Sequence, residues 1–200
     1  MKGYNWRKVF FSDEKTFCLG SAKTHSWQVP GKRKKRSVKR HTAKIHVWAA
    51  AGYYMKSKLY IFTSNLTSEL YRKIISRNLQ EKNITYSPDC PARLPGSWQF
   101  LQDNDPKHKA KKTMTELEDL LENRVICHPA QSPDLNVMED LWSYLDRKVK
   151  RTNIKTIAGL KKKLTILWEA MPWSVIRTSV VTMNARLAEC EELRGERTHY

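Results

Sequence analysis

The sequence predicts one α/β domain in which an antiparallel meander gives way to parallel strands and then to a helical end. Three observations predict it. Apolar residues alternate or run continuously through the first third, the period turns helical in the middle, and the pattern after Asn136 is helical throughout. At 200 residues the chain suits a single domain, with 1–150 as its core and 151–200 as a helical extension of it.

The first strand, "KVFFSDEKTFCL" (8–19), puts Val9, Phe11 and Asp13 on one face and Phe10, Ser12 and Glu14 on the other. "THSWQVPG" (24–31) reads as a short second strand ending in a Pro-Gly turn. "KIHVWAAAGYY" (44–54) is nearly all apolar, as a central strand covered on both faces would be. "SKLYIF" (57–62) adds a further strand to the meander.

Helical spacing of Leu70, Ile74, Ile75 and Leu79 predicts a helix over 67–82, with Thr67 or Ser68 as its cap. The Pro-rich stretch 83–96 reads as a loop or insertion. "SWQFLQD" (97–103) is a strand, 107–123 a helix, and "RVICHPA" (124–130) a buried strand. A strand–helix–strand order implies parallel pairing, because a crossover helix joins parallel strands. Met138, Leu141, Leu145 and Val149 then stripe one helix, and 156–171 and 173–195 supply two more, parted by Met171-Pro172.

Charge narrows the partner. Lys and Arg number 37 against 20 Asp and Glu, which favours a polyanion, nucleic acid ahead of an anionic membrane. Seven of the nine residues from Lys32 to Arg40 are basic: Lys32, Arg33, Lys34, Lys35, Arg36, Lys39 and Arg40. This tract suits DNA contact or nuclear import, against a plain reading as a solvated charge run. No apolar run approaches the roughly 18 residues of a spanning helix, so no membrane role is expected. Cys18, Cys90, Cys127 and Cys190 lie far apart without a CxxC pair and read as reduced thiols. Trp48, Trp98, Trp142 and Trp168 read as core, and His128, without partners at metal spacing, as structural.

A few carboxylates sit where strands end or helices start: Asp13, Asp103, Asp105 and Glu139. Each has an ordinary reading. Asp13 ends a strand, Asp105-Pro106 makes a turn, and Asn136-x-x-Glu139 resembles a capping box. Together they suggest another role. Carboxylates from separate strand ends can converge on hard divalent cations, and two such ions roughly 3.5–4 Å apart serve phosphodiester chemistry. The surrounding lysines would then hold the phosphate backbone. Alternation cannot choose between Asp103 and Asp105, which share parity.

"VFFSDEKTF", "KIHVWAAAGY", "FLQDNDPKHKA" and "HPAQSPDLNVMEDLW", in this order and spacing, resemble the catalytic domain of Tc1/mariner-family DDE transposases. The resemblance implies a ribonuclease-H-like fold with a central five-stranded mixed sheet and flanking helices. It implies DNA cleavage that frees a 3′-hydroxyl, followed by attack of that hydroxyl on target DNA, with two Mg²⁺ or Mn²⁺ ions. Asp13, Asp103 and Glu139 match the catalytic, metal-binding acids, while Lys107 and His108 are placed to touch phosphate or to stand exposed. Two departures stand out: a spacing of 35 residues between Asp103 and Glu139, one above that usual in the Tc1 branch, and Val137 where the family has proline. Proline is favoured but not required there.

Element ends and target DNA are the implied partners, with a second copy of the chain in a transposition complex and, in a eukaryote, a nuclear location. The chain opens almost directly on the first catalytic strand, so the helix-turn-helix modules of full-length relatives, and specific end binding, are expected to be absent. The competing reading is a noncatalytic DNA-binding remnant. A ribonuclease H proper would share the fold but not the quoted blocks.

Overall fold

The computed structural model describes residues 4–19, 43–92, 97–122, 124–129 and 131–200. The strand expected at 24–31 and the basic tract Lys32–Arg40 lie outside the described residues.

Strand β1 (Val9–Cys18) lies at the centre, antiparallel to β2 (Lys44–Gly52) on one side and parallel to β6 (Gln99–Gln102) on the other. Strand β7 (Val125–Cys127) follows β6 in parallel. On the far side of β2 the third strand is broken into β3 (Met55–Ser57) and β4 (Tyr60–Phe62), which pair with the end and the start of β2. At the break, Ser57 Oγ accepts from the Ala50 amide at 2.9 Å, so a side chain supplies the bond that the ladder lacks. The order β3-β2-β1-β6-β7 gives the five positions expected of the mixed sheet. The additions are the split third strand and β5 (Ile84–Tyr86), an edge strand antiparallel to β3. Three residues are too few to show a period, which is why 83–96 reads as loop.

Alternation along β1 is borne out by two separate cores. Val9 and Phe11 pack with Val47, Ala49, Leu101 and the helical end of the chain, while Phe10 packs with Trp48, Ala50 and Phe100. Helices α1 (Ser68–Asn78) and α2 (Lys111–Leu121) cover the second face through Tyr71, Ile74, Ile75 and Leu117. Helices α3 (Met138–Lys150), α4 (Ile157–Glu169), α5 (Trp173–Val181) and α6 (Met183–Glu192) cover the first. Trp48, Trp98, Trp142 and Trp168 are all buried, as expected. Gly52 is required where β2 meets the start of β1, since a Cβ there would sit 2.4 Å from the Val9 carbonyl oxygen.

Thr67 caps α1 by accepting from the Leu70 amide. Helix α1 ends at Asn78, short of the expected 82, and two further boundaries differ from the periodicity. Helix α2 starts at Lys111, not Lys107, because Asp105 turns the chain: Oδ1 accepts from the Lys107 amide and its carbonyl from the His108 amide, both at 2.8 Å. The segment 173–195 forms two helices that break at Thr182, whose hydroxyl donates to the Ser179 carbonyl at 2.7 Å. The helical end is keyed to the sheet by Lys56, which donates to the carbonyls of Trp168 (3.0 Å) and Glu169 (2.8 Å) at the end of α4. Trp168 returns a bond from Nε1 to the Ser57 carbonyl at 2.7 Å.

Candidate active site

Parallel pairing brings the first two acids together. Phe11 is in register with Leu101, so Asp103 falls beside Asp13 two residues further along both strands. Continuing the Gln102–Cys127 register in the same way places His128 next to Asp103. Both aspartates share the parity of Phe11 and Leu101, whose side chains face α3.

The third acid arrives with α3. Asn136 anchors that helix to β1: its Nδ2 donates to the Ser12 carbonyl and its Oδ1 accepts from the Met138 amide, both at 3.1 Å. The Asn136–Glu139 pair is therefore not a capping box. The Asn136 carboxamide holds the sheet instead, and the Glu139 carboxylate meets Lys15 Nζ at 3.1 Å. Val137, buried, takes helical φ and ψ at the entry to α3, so the helix starts without proline.

Asp13, Asp103 and Glu139 line one open cleft of about 490 Å³, with Asn104, Asp105, His128 and Asn136 among its other walls. Each acid is held by a different neighbour. Trp142 Nε1, from α3, donates to Asp13 Oδ2 at 2.8 Å. His108 Nδ1 stands 2.5 Å from Asp103 Oδ1, which also accepts from the Asp105 amide at 3.0 Å. Lys15 pairs with Glu139.

His108 corrects an expectation. It is neither exposed nor presented to phosphate: it is 2% exposed, stacked on Tyr71 at 3.9 Å between ring centroids, with Nε2 3.4 Å from Glu14 Oε1. The helix that would have displayed it begins three residues later, so the turn folds it under the carboxylates. Lys107 stays at the surface and pairs with Asp105. Asp105, left open by strand parity, is the turn-former.

The electrostatics follow from crowded acids. Burial drives the Asp13 pKa up to about 8, helped by the charges of Glu14 and Glu139 and opposed by the Trp142 bond. Burial also pushes Asp103 upward, but the His108 and Asp105 hydrogen bonds outweigh it and hold the carboxyl below its usual range. Burial would lower His108, yet its bonds to Asp103 and Glu14, with their charges, raise it to about 9.

The donor set suits a hard divalent cation: besides the lysine-paired Asp105, three carboxylates line one open cleft, one of them pushed toward protonation by burial and by neighbouring carboxylates. Among the described residues no three His, Cys, Asp or Glu side chains close around an ion as they stand. Lys15 and His108 already pair with two of the three acids.

Sequence reasoning missed Trp142, Lys15 and Asn136 as site residues, and gave His108 a phosphate contact where the structure gives it Asp103. Lys15 alone carried a signal, since it shares the parity of Asp13 two residues away. Trp142 showed only as part of an apolar helix face, and its Nε1 is invisible to periodicity.

The chain matches a family described as DDE superfamily endonuclease over residues 8–161. It is 29% identical to the Transposable element Tc3 transposase of Caenorhabditis elegans, covering 99% of this chain and 60% of that protein. It is 28% identical to the Transposable element Tc1 transposase of the same organism, covering 98% of this chain and 71% of that protein. The chain therefore spans about 60% of the length of the Tc3 protein. A mariner Mos1 paired-end complex with Mg superposes with a TM-score of 0.79 at 19% identity over 98% of this chain and 58% of that one. The isolated catalytic domain of Mos1 mariner transposase gives 0.67 at 16% identity over 98% of this chain and 86% of that one. These structures share the fold, which is the ribonuclease-H-like one expected.

Proposed function

Because the chain belongs to the DDE superfamily endonuclease family, we propose that it is the catalytic domain of a Tc1/mariner-type DNA transposase that cleaves DNA and transfers the freed strand to a target. The observation that carries this reading is the convergence of Asp13, Asp103 and Glu139, from β1, the end of β6 and α3, on one cleft.

Asp13, Asp103 and Glu139 would hold Mg²⁺ or Mn²⁺, as two ions. When bound, such ions supply charge stabilisation for the attacking and leaving oxygens of a phosphodiester. The chain's own residues prepare the acids. His108 fixes the rotamer of Asp103 and keeps it ionised, and Trp142 fixes Asp13. Lys15 pairs with Glu139 until a cation takes its place. Catalysis of this kind rests on positioning and electrostatics, so no covalent nucleophile is required.

The partners on this reading are element ends and target DNA, with a second copy of the chain in the transposition complex, and the location in a eukaryote is the nucleus. The tract Lys32–Arg40 and Lys107 supply phosphate contacts. The test is nicking of supercoiled plasmid in Mn²⁺. Wild-type protein nicks and Asp103→Asn does not. Equal nicking by both, or no heat of Mn²⁺ binding to the folded protein, would overturn the reading.

A further inference from the structure

Three clefts adjoin one another along α3. The carboxylate cleft shares Pro133 and Glu139 with a second, of about 270 Å³, walled by Arg186, Arg197 and Tyr200. The second shares Asp140 and Ser143 with a third, of about 450 Å³, where α3 faces α5 across Arg147 and Ser174. Glu139, Ser143, Arg147 and Arg151 are spaced by four, which places them in one row along the helix.

The row starts among acids and ends among bases. From 147 to 168 the chain has eight Lys and Arg and no Asp or Glu. Arg147, Lys150, Arg151, Lys155 and Lys162 are exposed. The acids beside the row are engaged: Asp140 pairs with the buried Arg186, and Asp146 lies 4.0 Å from Lys150. The far end is thus a positive surface linked to the carboxylates through clefts that share walls.

Resting on the reading of the cleft as a DNA-cleavage site, we propose that this row is the track of the DNA backbone away from that cleft, with Arg147 and Arg151 as its phosphate contacts. From Glu139 to Arg151 the helix rises about 18 Å, which corresponds to about five phosphates along one strand. The guanidinium fork suits a phosphate oxygen pair, and the hydroxyls of Ser143 and Ser174 line the stretch between. An uncharged or basic ligand would find nothing at the far end to hold it.

The test is binding of a short random-sequence DNA duplex by fluorescence anisotropy in EDTA, so that cleavage does not enter, over a series of salt concentrations. Arg147→Ala/Arg151→Ala should lower the log–log salt slope by about two and weaken binding roughly tenfold. Arg147→Lys/Arg151→Lys should restore the slope. Lys73→Gln/Lys82→Gln, which removes as much charge on and just after α1 across the sheet, should keep it. Equal losses from both neutral pairs would mean a diffuse field, and an unchanged slope in the arginine pair would mean no track. Either result overturns the proposal, as does retention of DNA binding with loss of binding to phosphatidylserine vesicles. If the track fails while Asp103→Asn still abolishes nicking, the cleavage reading stands alone. If Asp103→Asn nicks like wild type, that reading falls and the track falls with it.

Discussion

His108 reaches Asp103 from beneath, its Nδ1 2.5 Å from Oδ1, while its ring lies stacked on Tyr71 at 3.9 Å. Tyr71 is in turn fixed by donating its hydroxyl to Gln102 Oε1 at 2.6 Å. One strand-end acid is therefore oriented by a chain of contacts running into the core of α1. Partners of this kind, which orient a ligand without touching the ion, typically carry 10–100-fold in affinity or activity. His108→Ala should lower both Mn²⁺ affinity and nicking by that order. His108→Asn, which can keep a donor toward Asp103, should recover part of it. Calorimetric titration separates the cases: an Asn variant as impaired as Ala would reduce His108 to a packing residue on Tyr71.

Trp142→Phe should keep most of the ring in the core and remove only the Nε1 bond to Asp13. That bond opposes burial, so its loss drives the Asp13 pKa further up. The carboxylate then ionises at higher pH, and the pH profile of Mn²⁺ binding should move in the alkaline direction. An unshifted profile would show that Trp142 contributes packing alone.

Stability should itself depend on pH, and the sign follows from two groups. Asp13 rises from 3.8 to about 8 on folding, so the folded state holds a proton that the unfolded chain gives up between those values. His108 rises from 6.5 to about 9, and its contribution is complete below 6.5 and lost as pH climbs through 9. Both act in one direction: the folded state binds more protons, so stability falls as pH rises. The melting temperature of metal-free protein should fall between about pH 6.5 and 9. Saturating Mn²⁺ should flatten that fall, since a cation favours ionised Asp13. A metal-free melting temperature that climbs over the same range would contradict both assignments.

How much of this was legible depends on the length scale of each signal. Strand β1 was readable to the face, because Phe10 and Phe11 must enter different cores and alternation reports that directly. The parallel pairing of β6 with β7 followed from the helix between them. What stayed hidden needed contacts between distant residues. The break between β3 and β4 depends on one hydroxyl, Ser57 Oγ, meeting Ala50 N. Burial of His108 depends on a turn that shortens α2 against its own apolar period. The acids themselves were assigned through the resemblance of their motifs to a known family, whereas the residues that hold them come from across the fold: Trp142 on Asp13, Lys15 on Glu139, and Asn136, which ties α3 to Ser12.

Lys56 offers a test of how the helical end is attached. Burial lowers its pKa, yet its ammonium donates to the last carbonyls of α4, which have no partner within the helix. The Trp168 carbonyl also accepts from the Met171 amide at 3.2 Å, so Lys56→Met keeps the side-chain length and strips the donor from the Glu169 carbonyl above all, at a cost of about 1–3 kcal/mol. Urea denaturation should show a lower midpoint with an unchanged m-value. A midpoint equal to wild type would mean that water replaces the ammonium at no cost.

Lys15 presents the sharpest contrast between stability and function. Its pair with Glu139 is partly exposed, with side-chain accessibilities of 33% and 41%, so its loss should change stability by no more than about 1 kcal/mol. Within the cleft the same ammonium is the cation that Glu139 already has, and a divalent ion must compete with it for that carboxylate. Lys15→Gln removes the competitor and keeps a polar side chain of similar length. Mn²⁺ should then bind several-fold more tightly by calorimetry, an effect distinct from any change in nicking rate. The opposite outcome, weaker Mn²⁺ binding in Lys15→Gln, would mean that the lysine holds Glu139 in the conformation that binds the ion rather than competing for it.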